Sequence, residues 1–363
     1  MSNTITSLAP ARICLYGDHQ DYLNLPVIAI AIDRYIKVDA KSNLAESFYI
    51  NKVDIKKKDI INYNKDYSYK GKAEFLRIAL KVIKEYGCIP NKGYDITITS
   101  KIPINSGLSS SSALTVAWIQ FLLKCFMPKK TIDYKTLAEL AYQTEVVETG
   151  SSGGNMDQYT ISHGGTIFLN TLNSNIYSYK YNFSDVDLVV GVSNAGKDTR
   201  GMLKKLKSNQ LLALETIKNL FPEFDVYNND TYDYNSCYES LDKDLMPYFK
   251  AAIKNFEITK AADNELKKDN PDIETLGKLM TQHHNLLKDE LKITTNEIDL
   301  MIDICNSMGA YGSKIVGSGG GGSIVAIFDK NISEGVVSKL KENGAKDAFI
   351  ASQSNGPKIK SNE

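Results

Sequence analysis

A run of small hydroxyl residues lies where a strand pattern gives way to a helix pattern. Residues 94–98 alternate apolar and polar side chains, which predicts a half-buried strand, and the apolar residues 113–126 predict a helix. The N-terminus of a helix carries unpaired N–H groups and partial positive charge, and small side chains let a phosphate approach them. The junction therefore predicts a phosphate cradle, although a serine-rich helix cap would have the same composition, and it lacks the Walker A pattern. Its sequence is Gly107-Leu108-Ser109-Ser110-Ser111-Ser112.

Polar residues able to bind or activate a hydroxyl group occur in two other segments. Arg12 stands at the start of a predicted strand that ends in a polar turn with Asp18, His19 and Asp21. Polar groups that converge on one turn suit a hydroxyl-rich ligand, and a structural salt bridge is the alternative for Arg12. A later glycine-rich loop carries Asp157, which could orient or deprotonate a hydroxyl group, or could simply form the turn.

Two remaining segments could complete such a site. A helix predicted over residues 134–148 carries Glu145 and Glu148, either of which could face a metal ion. Near the C-terminus, four successive glycines lie between two short predicted strands, in Gly317-Ser318-Gly319-Gly320-Gly321-Gly322. Because glycine loses more backbone entropy on folding than other residues, the run suggests that the backbone closely approaches a ligand or another loop. A flexible hairpin connection is the alternative.

The elements that would position these residues are strands mixed with helices. Strand patterns and hairpins prevail in the N-terminal part, and helix patterns prevail over residues 202–308, which together indicate an α+β protein. A single hydrophobic core usually stops growing at about 250–300 residues. The 363 residues therefore predict two lobes, over residues 1–185 and 186–363. Residues 150–157 are predicted to form a loop, and a final helix over residues 332–343 is predicted to lead to a short strand and a polar tail.

The composition argues against several classes of function. Lys plus Arg and Asp plus Glu both number 43, so no net charge would draw the protein to nucleic acid or to an acidic membrane. The five cysteines form no CxxC pair, which argues against a disulfide framework and a zinc site. The chain has neither a signal-peptide pattern at its start nor an apolar run of about 18 residues. We expect a cytoplasmic protein whose partners are small molecules, with no nucleic acid or membrane partner and with its oligomeric state left open.

Together, the segments resemble the GHMP kinase superfamily in order and spacing. The resemblance covers residues 9–328 and rests on an N-terminal PARxxLxGDHxDY, on GLSSSSA between a strand and a helix, and on a late GSGGGG. Within the superfamily the sequence is most similar to galactokinases, which share the form of the GDHQDY turn and of the GNMDQ segment at residues 154–158. The resemblance implies a two-lobed α+β GHMP kinase fold, with a ribosomal protein S5 domain 2-like N-lobe and a ferredoxin-like C-lobe. The active site would lie between the lobes.

The same resemblance implies roles for individual residues. Asp157 would be the catalytic aspartate, and Arg12 the cation beside the transferring phosphoryl group. Ser111 and Glu145 would hold Mg²⁺, the expected cofactor, with ATP as co-substrate. Sugar hydroxyls would be held by Asp18, His19, Asp21 and the backbone at Gly154. The ATP phosphates would be held by Ser106, Gly107, Leu108, Ser109, Ser110, Ser111 and Ser112.

These assignments predict an ATP-dependent kinase that phosphorylates a sugar hydroxyl, as a galactokinase-like sugar 1-kinase does. The alternatives are a mevalonate-type kinase and a non-catalytic regulator that binds sugar and nucleotide. Two acids in the turn at residues 17–22, hereafter the acceptor turn, would repel a carboxylate substrate and so favour a polyol. The sequence departs from galactokinases at Asp18, where they have Glu, and at Gln20, where they have Thr. Residues 192–200 match the family's later substrate loop only loosely, and residues 62–69 are a candidate adenine pocket.

Overall fold

Two β-sheets and a set of helices make up the computed structural model, which describes residues 4–65, 74–127, 129–195, 199–227 and 234–362. The strands are β1 (Thr4–Tyr16), β2 (Val27–Ser42), β3 (Ser47–Lys52), β4 (Lys57–Asn62), β5 (Tyr94–Ser100), β6 (Thr166–Asn170), β7 (Asn175–Ser178), β8 (Asp187–Val192), β9 (Gly312–Val316), β10 (Ser323–Phe328), β11 (Asp347–Ala351) and β12 (Lys358–Asn362). The helices are α1 (Phe75–Glu85), α2 (Ser110–Phe126), α3 (Tyr134–Tyr142), α4 (Met156–His163), α5 (Thr199–Leu220), α6 (Tyr234–Glu239), α7 (Met246–Leu266), α8 (Ile273–Asp289), α9 (Asn296–Ser307) and α10 (Ser333–Glu342). Within these ranges, no helix is long and apolar enough to cross a membrane.

The first sheet carries the N-terminal part of the site. Its strand order is β12-β1-β2-β5-β3-β4, and the β6–β7 hairpin extends it along the beginning of β2. α2 packs on this sheet through buried side chains that include Trp118 and Phe121. β12 pairs with β1 as far as Leu8, and farther along β1 the N–H of Arg12 donates to the carbonyl of Leu108 at 3.4 Å. The junction before α2 therefore lies beside the end of β1, where a neighbouring strand would otherwise pair.

The second sheet supports the site from the C-terminal side. Its order is β11-β8-β10-β9, and all of its neighbouring strands are antiparallel. Counted along the chain from β8, the strands thus lie side by side in the order fourth, first, third, second. Helices connect β8 to β9 and β10 to β11, as in ferredoxin-like folds. β8 begins at Asp187, whereas the last strand, β12, returns to the first sheet. The α+β fold class predicted from the sequence is confirmed.

Three segments differ from the predictions made from sequence. Residues 150–157 are not all loop, because α4 begins at Met156 and places Asp157 in its first turn. α4 has eight residues and no apolar stripe, so helical periodicity could not reveal it. The prediction of a polar C-terminal tail was wrong, since β12 pairs along the edge of β1 through backbone hydrogen bonds. α2 begins at Ser110, earlier than the apolar pattern predicted, so the serines form its first turn.

Candidate active site

A cleft of about 300 Å³ lies among the end of β1, the junction before α2, the first turn of α4 and the glycine loop after β9. It gathers residues from every segment that the sequence singled out. Among the individual residues Leu108 is the exception, because its side chain is buried in the main hydrophobic core and only its backbone remains beside the junction. The predicted residues that line the cleft are Arg12, Asp18, His19, Asp21, Ser106, Gly107, Ser109, Ser110, Ser111, Ser112, Glu145, Gly154 and Asp157.

Arg12 and Asp157 form an ion pair in the cleft. Arg12 Nε donates to Asp157 Oδ1 at 2.6 Å, and Arg12 Nη1 donates to the carbonyl of Gly107 at 2.6 Å. The side chain of Arg12 is 6% exposed and that of Asp157 is 26% exposed, so the carboxylate is the more accessible partner. Burial lowers the pKa of Arg12, but the charge of Asp157 and its hydrogen bond outweigh this, and the pKa is raised overall. A buried, charged guanidinium therefore fixes the orientation of the carboxylate.

The junction before α2 has the strained backbone that is common at ligand sites. Ser109 adopts a left-handed conformation with a φ of 58°, and Gly107 has a φ of 78°. The Ser109 side chain does not cap α2, because its hydroxyl donates to Oδ2 of Asp157 instead. The first N–H groups of α2 thus have no cap from Ser109 and can serve a phosphate group.

The structure distinguishes between the two acids that follow α3. A π-helical turn, Gln143–Val147, contains Glu145, which is buried and lines the cleft. Glu148 lies just beyond this turn, and its carboxylate pairs with Lys81 at 2.6 Å. π-helical turns are rare and occur often at functional sites. Of the two candidates, Glu145 is therefore the one that can act in the cleft.

The surroundings of Glu145 fit a hard divalent cation. Burial raises the pKa of Glu145, while hydrogen bonds from Ser111, Ser112 and Gln158 act to lower it, that from Gln158 Nε2 measuring 2.7 Å. Carboxylate and hydroxyl oxygens are ligands that Mg²⁺ accepts, and at a nucleotide it takes its other ligands from phosphates and water. In the described ranges no group of three or more His, Cys, Asp or Glu side chains gathers to hold a metal alone. The fit is therefore to a cation that arrives with a phosphate ligand.

The acceptor turn contributes an imidazole and a carboxyl group. His19 has a φ of 66°, and its Nδ1 lies 3.1 Å from the hydroxyl of Tyr22, which donates to Oε1 of Gln210 in α5 at 2.7 Å. Asp21 Oδ1 accepts from the N–H of Tyr22 at 3.0 Å. Burial, and next the negative charge of Asp157, raise the pKa of Asp21 to about 6. This carboxyl group therefore titrates close to neutral pH.

Gly154 packs directly against the acceptor turn. A Cβ at position 154 would lie 2.5 Å from Cγ of Asp21, which is closer than real Cβ atoms approach. At the neighbouring Gly153, the nearest atom to a Cβ would be Oγ of Ser151 at 3.9 Å, an ordinary contact. The glycine that precedes Asn155 is thus required by the position of Asp21.

Asp18 has a different environment from the rest of the acceptor turn. Its Oδ2 accepts from Nζ of Lys314 at 2.5 Å, and its Oδ1 accepts from the N–H of Gly317 at 3.0 Å. The Asp18 side chain is 2% exposed and that of Lys314 is 0% exposed. Both carboxylate oxygens of Asp18, a residue to which the resemblance gives a role in holding a sugar hydroxyl, therefore accept hydrogen bonds within the protein.

Sequence-based reasoning missed several residues of the site. Lys314 gave one signal, since it is a charged residue inside a strand that is otherwise buried. Gln158 directly follows Asp157 within the GNMDQ segment, whereas Gln210 lies on a long helix with no local signal. Residues 66–69 of the candidate adenine pocket and residues 196–198 of the loosely matching substrate loop lie outside the described residues.

Two family models match the chain, one in each lobe. The model of the GHMP kinases N terminal domain matches residues 73–165, and that of the GHMP kinases C terminal domain matches residues 260–346. The first match contains the junction before α2, Glu145 and Asp157, and the second contains the glycine loop after β9.

Relatives of this chain carry two different names. A mevalonate kinase of Thermococcus onnurineus (strain NA1) is 27% identical over 343 residues, which cover 91% of each chain. A galactokinase of Clostridium perfringens (strain SM101 / Type A) is 26% identical over 381 residues, which cover 96% of this chain and 93% of the relative. Sequence similarity therefore indicates a kinase and leaves the acceptor undecided between these two classes.

Solved structures show the same fold. Lactococcus lactis galactokinase complexed with galactose superposes with a TM-score of 0.84 at 20% identity, covering 98% of this chain and 95% of that one. The Methanococcus jannaschii mevalonate kinase superposes with a TM-score of 0.72 at 23% identity, covering 96% and 98%. With both lobes matched by family models and the shared fold extending over nearly the whole chain, the protein belongs to the GHMP kinase family and is a kinase.

Proposed function

We propose that the protein transfers the γ-phosphoryl group of ATP to a hydroxyl group of a sugar, as a galactokinase-like sugar 1-kinase. The observation that carries the choice of a sugar is the charge of the acceptor side of the cleft. Asp21 and Asp157 face it with Asp18 behind them, and Arg12 is the one lysine or arginine among the described residues that line it. Arg12 is already paired with Asp157.

This distribution of charge favours a neutral polyol over a carboxylate substrate. A substrate carboxylate placed beside Asp21 and Asp157 would lose its hydration without gaining a free cationic partner. Sugar hydroxyls can donate to these carboxylates and can accept from backbone N–H groups such as that of Gly154. His19 would hold a further hydroxyl group through its imidazole ring.

The nucleotide side of the cleft would hold the triphosphate through backbone and hydroxyl groups. The phosphates would contact the N-terminal N–H groups of α2 and the residues of the junction, with only the backbone taking part at Leu108. These residues are Ser106, Gly107, Leu108, Ser109, Ser110, Ser111 and Ser112. The Ser111 hydroxyl and the Glu145 carboxylate would hold Mg²⁺, which, when bound, neutralises charge on the phosphate oxygens.

Asp157 and Arg12 would act on the transferring group. The Asp157 carboxylate would orient the attacking sugar hydroxyl and accept its proton, which leaves the oxygen free to bond to phosphorus as the bond to ADP breaks. Arg12 would stabilise negative charge on the phosphoryl oxygens while it holds Asp157 in place. In this mechanism phosphoryl transfer depends on positioning and charge neutralisation.

The first test is an ATP-consumption assay with Mg²⁺ against galactose, galacturonate, glucuronate, arabinose, fucose, N-acetylgalactosamine and mevalonate. We expect turnover on a sugar. Asp157→Ala is expected to abolish turnover and retain ATP binding, whereas Asp347→Ala should behave as wild type because Asp347 forms an exposed pair with Lys341 at 3.5 Å. An Asp157→Ala variant within about tenfold of the wild-type rate would show that Asp157 is not the general base.

The mevalonate-type alternative has two points in its favour. The mevalonate kinases among the relatives are as similar to this chain as the galactokinases are. Nζ of Lys207 in α5 also lies 5.8 Å from the centre of the Tyr22 ring, so a cation lies next to the acceptor turn. Turnover on mevalonate alone would refute the sugar proposal. Binding of ATP without turnover of any acceptor would favour the non-catalytic regulator, although Arg12, Ser111 and Asp157 are all present in the cleft.

A further inference from the structure

Lys314 is a fully buried lysine that joins the two lobes. It lies on β9 of the second sheet, and its ammonium group reaches the end of β1 in the first lobe. Its three donors all have acceptors, namely Oδ2 of Asp18 at 2.5 Å, the carbonyl of Cys14 at 3.1 Å and the carbonyl of Ile315 at 2.7 Å. A buried ammonium group needs such complete pairing, because its desolvation is costly. Lys314 is therefore built to hold one arrangement of the two lobes.

Asp18 transmits this arrangement to the glycine loop. While Oδ2 accepts from Lys314, Oδ1 accepts from the N–H of Gly317, the first residue after β9. Burial acts to raise the pKa of Asp18, whereas the charge of Lys314 is the largest of the effects that lower it, and the pKa lies below its usual range. The carboxylate thus stays ionised and fastens the acceptor turn to the glycine loop.

The glycine loop in turn supports the junction that would hold the phosphates. Gly317 has a φ of 87°, and a Cβ there would lie 2.9 Å from the carbonyl oxygen of Gly107. Ser323 at the start of β10 donates from Oγ to the carbonyl of Ser106 at 2.7 Å. A shift of the glycine loop would therefore displace the phosphate side of the cleft as well as the acceptor side.

We propose that Lys314 is a positioning residue for both substrates, and that through it Asp18 serves to join the lobes and does not bind the acceptor. This inference deepens the proposed function, on which its kinetic readouts rest. It departs from the role in holding a sugar hydroxyl that the motif assigns to Asp18. Recognition of the acceptor then falls to His19, Asp21 and the backbone at Gly154.

The test compares Asp18→Asn, Lys314→Met and the double variant, with Lys278→Met as a matched control. Lys278 pairs with Glu274 at 3.7 Å, but both side chains are mostly exposed, at 72% and 67%. We expect Lys278→Met to match wild type. Each single variant leaves one buried charge without its partner, so the Tm should fall by about 5–10 °C. The KM values for ATP and for the acceptor should rise together, by about tenfold or more.

The double variant should recover most of the Tm and most of the affinity for ATP, because it leaves no unpaired charge and an amide oxygen can still accept from Gly317. Strictly additive losses in the double variant would overturn the proposal. So would an Asp18→Asn variant with a higher KM for the acceptor but an unchanged Tm and KM for ATP, since that is the behaviour of a substrate ligand. If one single variant does not fold, the other single variant and the double variant still decide between these outcomes. If wild type turns over no acceptor, the proposed function fails, while the Tm values and ATP affinities still test the contact between the lobes.

Discussion

The close packing of Gly154 against Asp21 allows a sharp test of the acceptor side. Two carbon atoms in contact normally lie about 3.5–4.0 Å apart, whereas a Cβ at position 154 would lie 2.5 Å from Cγ of Asp21. In Gly154→Ala, Asp21 must therefore move by about 1 Å, which is enough to break a hydrogen bond to a substrate hydroxyl. Hydrogen bonds to charged groups are worth about 1.5–3 kcal/mol. We expect kcat/KM for the acceptor to fall by about 10- to 150-fold.

Gly153→Ala is the matched control, because it changes the neighbouring glycine in the same way. Neither glycine has a positive φ, and the added methyl at position 153 meets nothing closer than 3.9 Å. The assay is steady-state ATP consumption with the acceptor that wild type uses, with the two substrates varied in turn. Gly153→Ala should stay within about twofold of wild type, and the KM for ATP should be unchanged in both variants. Equal losses in the two variants, or a loss confined to the KM for ATP, would refute the assignment of Asp21 and Gly154 to the acceptor.

Three further predictions concern Asp21 and Gly317. Because burial and the charge of Asp157 raise the pKa of Asp21 to about 6, kcat/KM for the acceptor should fall as the pH decreases through about 6, and Asp21→Asn should lack this fall. The folded-state pKa of Asp21 lies above the ordinary 3.8, so the ionised carboxylate destabilises the folded protein above about pH 6. Asp21→Asn should therefore raise the Tm at pH 7.5 but not at pH 4. An equal shift in Tm at both pH values would contradict this. Gly317→Ala should raise the KM for ATP far more than Gly344→Ala does, because both positions have a positive φ but only Gly317 faces the carbonyl of Gly107. Equal effects in a titration with ATP would mean that backbone strain alone was responsible.

Local chemistry determined which segments form the cleft. Three patterns follow one another closely along the chain: the alternating apolar and polar side chains of β5, the small hydroxyl residues, and the apolar run of α2. Together they predict a helix N-terminus at the serines. The same holds for β1 and the polar turn that follows it. These features follow from side-chain periodicity and backbone propensity, which act over short distances along the chain. They predicted an α+β protein with a candidate phosphate cradle, whereas the kinase function was implied by the resemblance to the GHMP kinase superfamily.

Tertiary structure decided what the individual side chains do. Whether Glu145 or Glu148 faces the cleft depends on a π-helical turn, which no periodic pattern reveals. Asp18 accepts from Lys314, which lies 296 positions away in the sequence, so its role could not be read from its own motif. Such partners are chosen by packing and by the need to pair every buried charge, and both are properties of the assembled lobes. The sequence therefore determined the elements and the chemistry available to them, while the contact between the lobes decided which groups remain free to bind a substrate.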